Sequence, residues 1–116
     1  MTYKIKFGTD GWREIIARDY TVDNVRRVAM ATAQWLKQQD SLKQQVTIGH
    51  DCRFGGEMFL KATAETFASE GIKCLIAEGF VSTPMVSITT STTDSGLGIV
   101  ITASHNPPSY NGFKIK

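Results

Sequence analysis

The sequence predicts an α/β fold, a three-layer domain in which a mainly parallel mixed sheet is flanked by helices. Two strand-like runs, "VTIGHD" from Val46 and "KCLIA" from Lys73, enclose a helical stripe. Strand, helix, strand with short loops predicts a parallel pair with a right-handed crossover. A third buried run, "LGIVIT" at 97–102, predicts another strand, paired through a polar loop with "GFKIK" at 112–116. The length of 116 residues fits one domain with a single core.

Along the chain, the alternation in "YKIKF" at 3–7 predicts a short first strand, and the two glycines of "GTDGWRE" at 8–14 predict a loop. Thr21 is a candidate N-cap for a helix that begins at Val22 and ends near Gln38 or Gln39. Its apolar face consists of Val25, Val28, Ala29, Thr32, Trp35 and Leu36.

The second helix follows the loop "CRFGG", and Gly71 is its candidate C-cap. Its apolar stripe consists of Phe59, Leu60, Thr63, Ala64 and Phe67. We assign Trp35, Phe59 and Phe67 to the core. A third helix is predicted at "STPM", where Ser82 or Thr83 caps it and Pro84 takes a first-turn position.

Composition excludes several classes of protein. The net charge of +2 is weak and the basic residues are scattered, which argues against a nucleic-acid partner. No apolar run is long enough to span a bilayer, and "MTYKIKFG" lacks the apolar core of a signal peptide, so a cytoplasmic protein is predicted. Cys52 and Cys74 lack metal-ligand spacing and are predicted to be free thiols.

The candidate chemistry lies in "TASHNPPSYNGFKIK" at 102–116. Ser104 follows a buried strand, and the prolines after it stiffen the loop, so this serine can act as a nucleophile or carry a phosphate. His105 can move a proton near neutral pH, and Asn106 offers a donor and an acceptor. If the loop folds back as a hairpin, Lys114 can approach Ser104 as a phosphate contact or a base.

Judged from these residue types alone, a structural turn is the better interpretation, because Asn, Ser and Pro are common turn formers. Adjacent side chains such as Ser104 and His105 point in opposite directions in an extended segment. A serine hydrolase is disfavoured, since no G-x-S-x-G elbow or acid partner is visible.

Three segments, taken together, resemble the α-D-phosphohexomutases, the phosphoglucomutase and phosphomannomutase superfamily. "TASHNPPSYNGFKI" resembles the phosphoserine loop and the next strand, and "FGTDGWR" resembles the N-terminal active-site loop. "IGHDCRFGG" resembles a third segment, usually written G-R-D-x-R-x-S-G. His50 stands where arginine is usual, Gly55 stands near the usual serine, and Glu14 replaces a frequent glycine.

The resemblance implies that Ser104 carries the phosphoryl group and exchanges it with a phosphosugar through a sugar bisphosphate. It implies catalytic roles for Ser104, His105, Lys114 and Arg13, and substrate binding by Thr9, Arg13, Asn106 and Lys114. It also implies Mg²⁺ bound to a phosphate oxygen on Ser104. His50 is expected to be structural, and Asp51 and Arg53 are expected to pair with each other or cap local backbone. For Trp12 and Asp10, the sequence is consistent with either a place in the active site or a structural role.

The aspartate-rich loop D-G-D-x-D-R, which holds magnesium in this superfamily, does not occur in the sequence. The sugar-reading segment G-E-x-S-G-H and the C-terminal phosphate loop do not occur either. The resemblance therefore implies that residues 1–116 are the first domain, inactive by themselves, of a longer multi-domain enzyme that supplies the other Mg²⁺ ligands. The partners would then be a phosphosugar and the missing domains, with no nucleic acid and no membrane.

One alternative is a non-catalytic module that binds phosphate or carries phosphoserine and acts through a partner. The segments that discriminate glucose, mannose and glucosamine phosphates would lie outside these residues. The form of the serine loop favours glucose or mannose over glucosamine.

Overall fold

The structure, a computed structural model, describes residues 3–8, 11–104 and 106–116 and confirms the α/β prediction. The elements in these ranges are β1 (Gly11–Ile15), α1 (Val22–Lys37), β2 (Gln45–His50), α2 (Gly56–Ser69), β3 (Lys73–Phe80), α3 (Thr83–Thr92), β4 (Leu97–Ile101) and β5 (Tyr110–Ile115). Within the described ranges, none of the helices has the length and apolar character needed to cross a membrane.

The five strands form one mixed sheet in the order β1-β5-β4-β2-β3. β2 pairs in parallel with β3, as the strand–helix–strand pattern predicts, and its other neighbour, β4, is parallel to it as well. β5 runs antiparallel to both β4 and β1. The predicted hairpin between β4 and β5 is therefore confirmed, and the polar loop at 102–109 connects these two strands.

The helices lie on both faces of the sheet. Ile99 and Ile101 of β4 belong to the core that also contains the buried residues of α1 and α2. Gly98 alternates with them and faces α3, where a Cβ on this glycine would lie 2.3 Å from Thr90 Oγ1. The result is three layers, with α1 and α2 on one face and α3 on the other.

The predicted helix ends are confirmed where local chemistry sets them. Thr21 Oγ1 accepts a hydrogen bond from the Asn24 amide at 3.2 Å, and Ser82 Oγ accepts one from the Met85 amide at 3.4 Å. Gly71, after the end of α2, has a φ of 75°, a conformation that glycine adopts without strain.

The first strand was predicted in the wrong place. Residues 3–7 form no strand, although Tyr3 and Ile5 do pack against the core as their alternation suggests. The sheet edge is instead taken by β1, from the segment predicted as a loop. Gly11 has a φ of +147°, and a Cβ there would lie 2.2 Å from the Phe113 carbonyl oxygen, so this glycine permits close pairing with β5.

Trp35 was wrongly assigned to the core. Its exposed fraction is 47%, whereas Phe59 and Phe67 are buried as predicted. Trp35 lines a surface groove with Ile5 and Phe7, so it lies at the margin of the apolar face of α1.

Candidate functional site

Ser104 lies in the loop just beyond the carboxyl end of β4 and is exposed. Its φ of 55° is left-handed, which costs a non-glycine residue about 1–2 kcal/mol. Hydrogen bonds hold it on both sides: its amide donates to Thr102 Oγ1 at 3.0 Å, and its carbonyl oxygen accepts from Arg53 Nη2 at 2.7 Å. Residues held in such sparsely populated backbone conformations cluster at functional sites.

Arg53, in the loop between β2 and α2, donates hydrogen bonds to the backbone of the serine loop. Each of its terminal nitrogens contacts two carbonyl oxygens. Nη1 donates to Pro107 at 2.8 Å and Tyr110 at 3.1 Å, and Nη2 donates to Ser104 at 2.7 Å and Asn106 at 2.6 Å. One side chain thus bridges the beginning and the end of the loop.

Asp51, directly after β2, connects Arg53 to Thr102. Its Oδ1 accepts from the Arg53 amide at 3.1 Å, and its Oδ2 lies 3.9 Å from Arg53 Nε. Oδ2 also accepts a short 2.5 Å hydrogen bond from Thr102 Oγ1. The expected pairing of Asp51 with Arg53 and the expected backbone cap are both present.

Sequence reasoning missed the hydrogen bonds that Arg53 donates to the backbone of the serine loop. Its four acceptors are backbone carbonyls, and no residue type in the sequence marks them. The available signal was topological: β2 and β4 are parallel neighbours, so the loops after their carboxyl ends meet at one edge of the sheet.

Arg13 and Asn106, two of the site residues that the resemblance implies, are in contact with each other. Arg13 Nη1 donates to Asn106 Oδ1 at 2.9 Å. Arg13 lies opposite Gly112 in the β1–β5 ladder. A Cβ on Gly112 would lie 2.9 Å from Arg13 Cγ and 2.4 Å from the Thr102 carbonyl oxygen, so glycine leaves room for both.

Lys114 shares a sheet face with Arg13. It lies opposite Val100 in β4 and Gly11 in β1, two positions along β5 from Gly112. The hairpin thus brings Lys114 beside β4, at a point four positions before Ser104. Within residues 3–8, 11–104 and 106–116, neither Arg13 nor Lys114 has an ion-pair partner.

Thr9, Asp10 and His105 lie outside the described residues. Trp12 is packed in the core, where its ring stacks on Tyr20 with the ring centroids 4.6 Å apart. His50 Nδ1 lies 2.7 Å from the Asp51 carbonyl oxygen, and the ring meets the Phe80 ring edge-on, in agreement with a structural role. The described ranges hold no cluster of three His, Cys, Asp or Glu residues that fits a metal ion.

Comparisons with known proteins agree with one another. Residues 4–116 match the family model described as "Phosphoglucomutase/phosphomannomutase, alpha/beta/alpha domain I". The chain is 37% identical to the "Probable phosphoribomutase" of Schizosaccharomyces pombe, over 97% of the chain and 20% of that protein. It is 37% identical to the phosphoglucosamine mutase of Alkaliphilus oremlandii, over 93% of the chain and 24% of that protein.

Among solved structures, the "putative phosphomannomutase" of Thermus thermophilus superposes with a TM-score of 0.94 and 37% identity. That match covers the whole chain and 26% of the Thermus protein. The chain thus spans about a quarter or less of the length of these relatives.

Proposed function

This chain belongs to the phosphoglucomutase/phosphomannomutase family, and we propose that it carries the phosphoserine centre of an enzyme that interconverts hexose 1-phosphate and hexose 6-phosphate. In this proposal, residues 1–116 are the first domain of a longer, cytoplasmic, multi-domain isomerase. The observation that carries it is Ser104, exposed and left-handed at the end of β4, in a loop that also binds Arg13 through Asn106.

The proposed reaction consists of two phosphoryl transfers. In the first, a sugar hydroxyl oxygen bonds to the phosphorus of phospho-Ser104 as the bond from phosphorus to Ser104 Oγ breaks; the hydroxyl proton passes to a base, and the departing Oγ takes up a proton. The sugar bisphosphate then turns around. In the second, Oγ gives its proton to a base and bonds to the phosphorus at the other position of the sugar, as the bond from that phosphorus to the sugar oxygen breaks and the sugar oxygen takes up a proton. Lys114 and His105 are the candidates for moving these protons.

Charge explains why Arg13 and Lys114 fit this role. A phosphoserine carries about −1.5 to −2 charges near neutral pH, and a phosphosugar brings a similar charge. Phosphoryl transfer depends mainly on positioning and on neutralising this charge. Two cations on one sheet face, without a carboxylate partner in the described part of the chain, are suited to phosphate oxygens. Asn106 and Thr9 are the proposed neutral contacts.

Magnesium would supply further neutralisation of the transferring phosphoryl group when bound. The described residues do not make a magnesium site by themselves, since they lack a suitable carboxylate cluster. This chain would contribute one ligand, a phosphate oxygen on Ser104, and the remaining ligands would come from the other domains.

The relatives do not identify which sugar phosphate this protein acts on. Those reported above are named for ribose, glucosamine and mannose phosphates, yet each is 37% identical to the chain. The preference for glucose or mannose over glucosamine stays a prediction.

The proposal is tested in the full-length protein with a coupled mutase assay on each hexose 1-phosphate, with Mg²⁺ and hexose bisphosphate present. We expect intact-mass analysis and peptide mapping to find one phosphoryl group on Ser104. Ser104→Ala should lose both the phosphate and turnover, whereas Ser109→Ala, an exposed serine in the same loop, should keep both. Phosphate only on another residue, or wild-type turnover in Ser104→Ala, would refute the proposal.

The non-catalytic module is not favoured, because the relatives reported above bear the names of mutases. The same experiment separates the two, since a module would carry phosphate on Ser104 without turning over a sugar phosphate.

A further inference from the structure

We propose that Arg53 is the positioning residue of the serine loop: its guanidinium fixes the backbone on which Ser104 presents its hydroxyl. The kinetic consequence of this inference depends on the proposed role of Ser104 as the phosphoryl carrier. The structural consequence, loss of order in the loop without Arg53, does not.

The hydrogen bonds of Arg53 account for the shape of the loop. Among the described residues of 102–110, two backbone bonds are internal to the loop: the Asn106 amide donates to Ala103, and the Tyr110 amide donates to Pro107. The four hydrogen bonds from Arg53 connect one planar guanidinium group to four carbonyl oxygens, those of Ser104, Asn106, Pro107 and Tyr110. A lysine ammonium is a point charge and cannot reproduce this fork.

Arg53 is itself held in place. Its side chain is 12% exposed, and Asp51 contacts both its Nε and its amide. Charged hydrogen bonds are stronger in such a partly buried setting than in water. Thr102 Oγ1 donates a hydrogen bond to Asp51 and accepts one from the Ser104 amide. The amide of Ser104 is therefore connected to Asp51, and its carbonyl oxygen is bound directly by Arg53. This arrangement explains how a non-glycine residue is kept at a φ of 55°.

The donor count separates a positioning role from phosphate binding. A guanidinium has five N–H donors, and the four on Nη1 and Nη2 match the four loop carbonyls. The fifth, on Nε, lies beside Asp51. The terminal N–H donors of Arg53 are therefore engaged by the loop, whereas the hydrogen bond from Arg13 to Asn106 uses one terminal nitrogen of Arg13.

The test compares Arg53→Met and Arg53→Lys in the full-length protein. The control is Arg26→Met, since Arg26 is an exposed arginine of α1 that pairs with Glu65 at 3.6 Å. Hydrogen exchange by mass spectrometry follows peptides covering residues 102–110 and, for comparison, those covering β2 and β4. Mutase kinetics on the same samples supply kcat and KM.

We expect exchange in the 102–110 peptides of both Arg53 variants to rise about tenfold or more, since losing one charged hydrogen bond corresponds to at least about that factor. Exchange in β2 and β4 should stay as in wild type. We expect kcat to fall about 100-fold, the order expected for a reacting group displaced by about 1 Å, with KM little changed. Arg26→Met should match wild type in every measurement.

Unchanged exchange in the 102–110 peptides would overturn the inference, whatever the activity. A wild-type kcat despite a loosened loop would overturn it as well, and so would a raised KM at unchanged kcat, which would make Arg53 a substrate-binding residue. If neither variant folds cooperatively, Arg53 is a general folding residue and the inference is wrong. A wild-type protein without mutase activity would instead refute the proposed function, and faster loop exchange would still support Arg53.

Discussion

Lys114 should contribute to catalysis through its charge and contribute little to stability through its packing. It is half-buried on β5, on the sheet face that also carries Arg13. Lys114→Met keeps an unbranched apolar stem of similar length and removes the charge. In the full-length enzyme we expect kcat/KM to fall about 100-fold or more, the order measured when one transition-state donor is removed.

The free energy of unfolding should change by less than about 0.5 kcal/mol in Lys114→Met, because the substitution is away from the packed core. A coupled mutase assay beside a urea melt measures both quantities. Lys73→Met is the matched control, since Lys73 is exposed at the amino end of β3, the opposite edge strand of the sheet. A folded Lys114→Met enzyme with the turnover of this control would remove Lys114 from the proposed mechanism.

Single residues differ in how far the sequence can predict their roles. Ser104 is proposed as the phosphoryl carrier because of the family resemblance, since its residue type and its place after a buried run would by themselves favour a structural turn. Arg53 was assigned a local pairing with Asp51, which is confirmed, but its grip on the serine loop depends on carbonyl groups more than 50 positions along the chain. Backbone acceptors have no signature in a sequence, so this part of the site required the fold.

At the scale of elements, Tyr20 connects the start of α1 to β5. Its ring is fully buried, stacked on Trp12 and edge-on to Phe59, and its hydroxyl donates to the Gly112 carbonyl oxygen at 2.7 Å. Tyr20→Phe removes the hydroxyl and keeps the ring. Since that carbonyl also accepts from the Thr102 amide at 3.0 Å, no acceptor is left unsatisfied. Urea melts at neutral pH should show that the free energy of unfolding falls by about 0.5–1.5 kcal/mol.

The same substitution should alter the response to alkaline pH. Burial, and secondarily the Asp51 charge, raises the pKa of Tyr20 well above its usual value. Above about pH 10 the unfolded chain loses this proton and the folded chain keeps it, so the free energy of unfolding falls with rising pH. Burial also raises the pKa of Cys74 to about 11, so the comparison belongs in a Cys74→Ser background. Tyr20→Phe should flatten the decline above about pH 10, the ordinary pKa of tyrosine; parallel curves would contradict the buried phenol.

Elements specified by local chemistry were predicted well, and those specified by distant partners were not. The Thr21 and Ser82 caps and the Gly71 terminus depend on neighbouring residues, so the sequence contains their whole explanation. β1 depends on pairing with β5, about 100 positions away, and its glycine is typical of a loop. Tertiary pairing therefore overrode the local signal, and the alternating segment 3–7 kept its packing role without becoming a strand.

At the scale of the whole molecule, β3 and α3 each expose large apolar side chains. Phe80 is 70% exposed, and Ile76, Met85 and Ile88 are each more than half exposed. Ile76 and Phe80 line a groove beside α2, whereas Met85 and Ile88 belong to α3. Exposed apolar side chains favour contact with another protein surface. If residues 1–116 are one domain of a longer enzyme, these side chains are candidates for contact with the rest of the polypeptide.

The last prediction concerns residues 1–116 as an isolated protein, which we expect to fold cooperatively, self-associate and lack mutase activity. Folding is expected because the described residues already enclose one continuous core. Turnover is not expected, because Arg13 and Lys114 offset only part of the repulsion between a phosphoserine and a phosphosugar. One phosphoserine should also hold Mg²⁺ weakly, since this ion requires near-octahedral oxygen ligands and gives up water reluctantly.

A circular dichroism melt, sedimentation and a coupled assay with Mg²⁺ and hexose bisphosphate measure the three properties of the isolated protein. Phe80→Lys should reduce self-association without lowering cooperativity, because that ring lies largely outside the core. Mutase activity well above a Ser104→Ala control would mean that the other domains are dispensable. The neutralising groups would then all lie within these residues, contrary to the electrostatic argument.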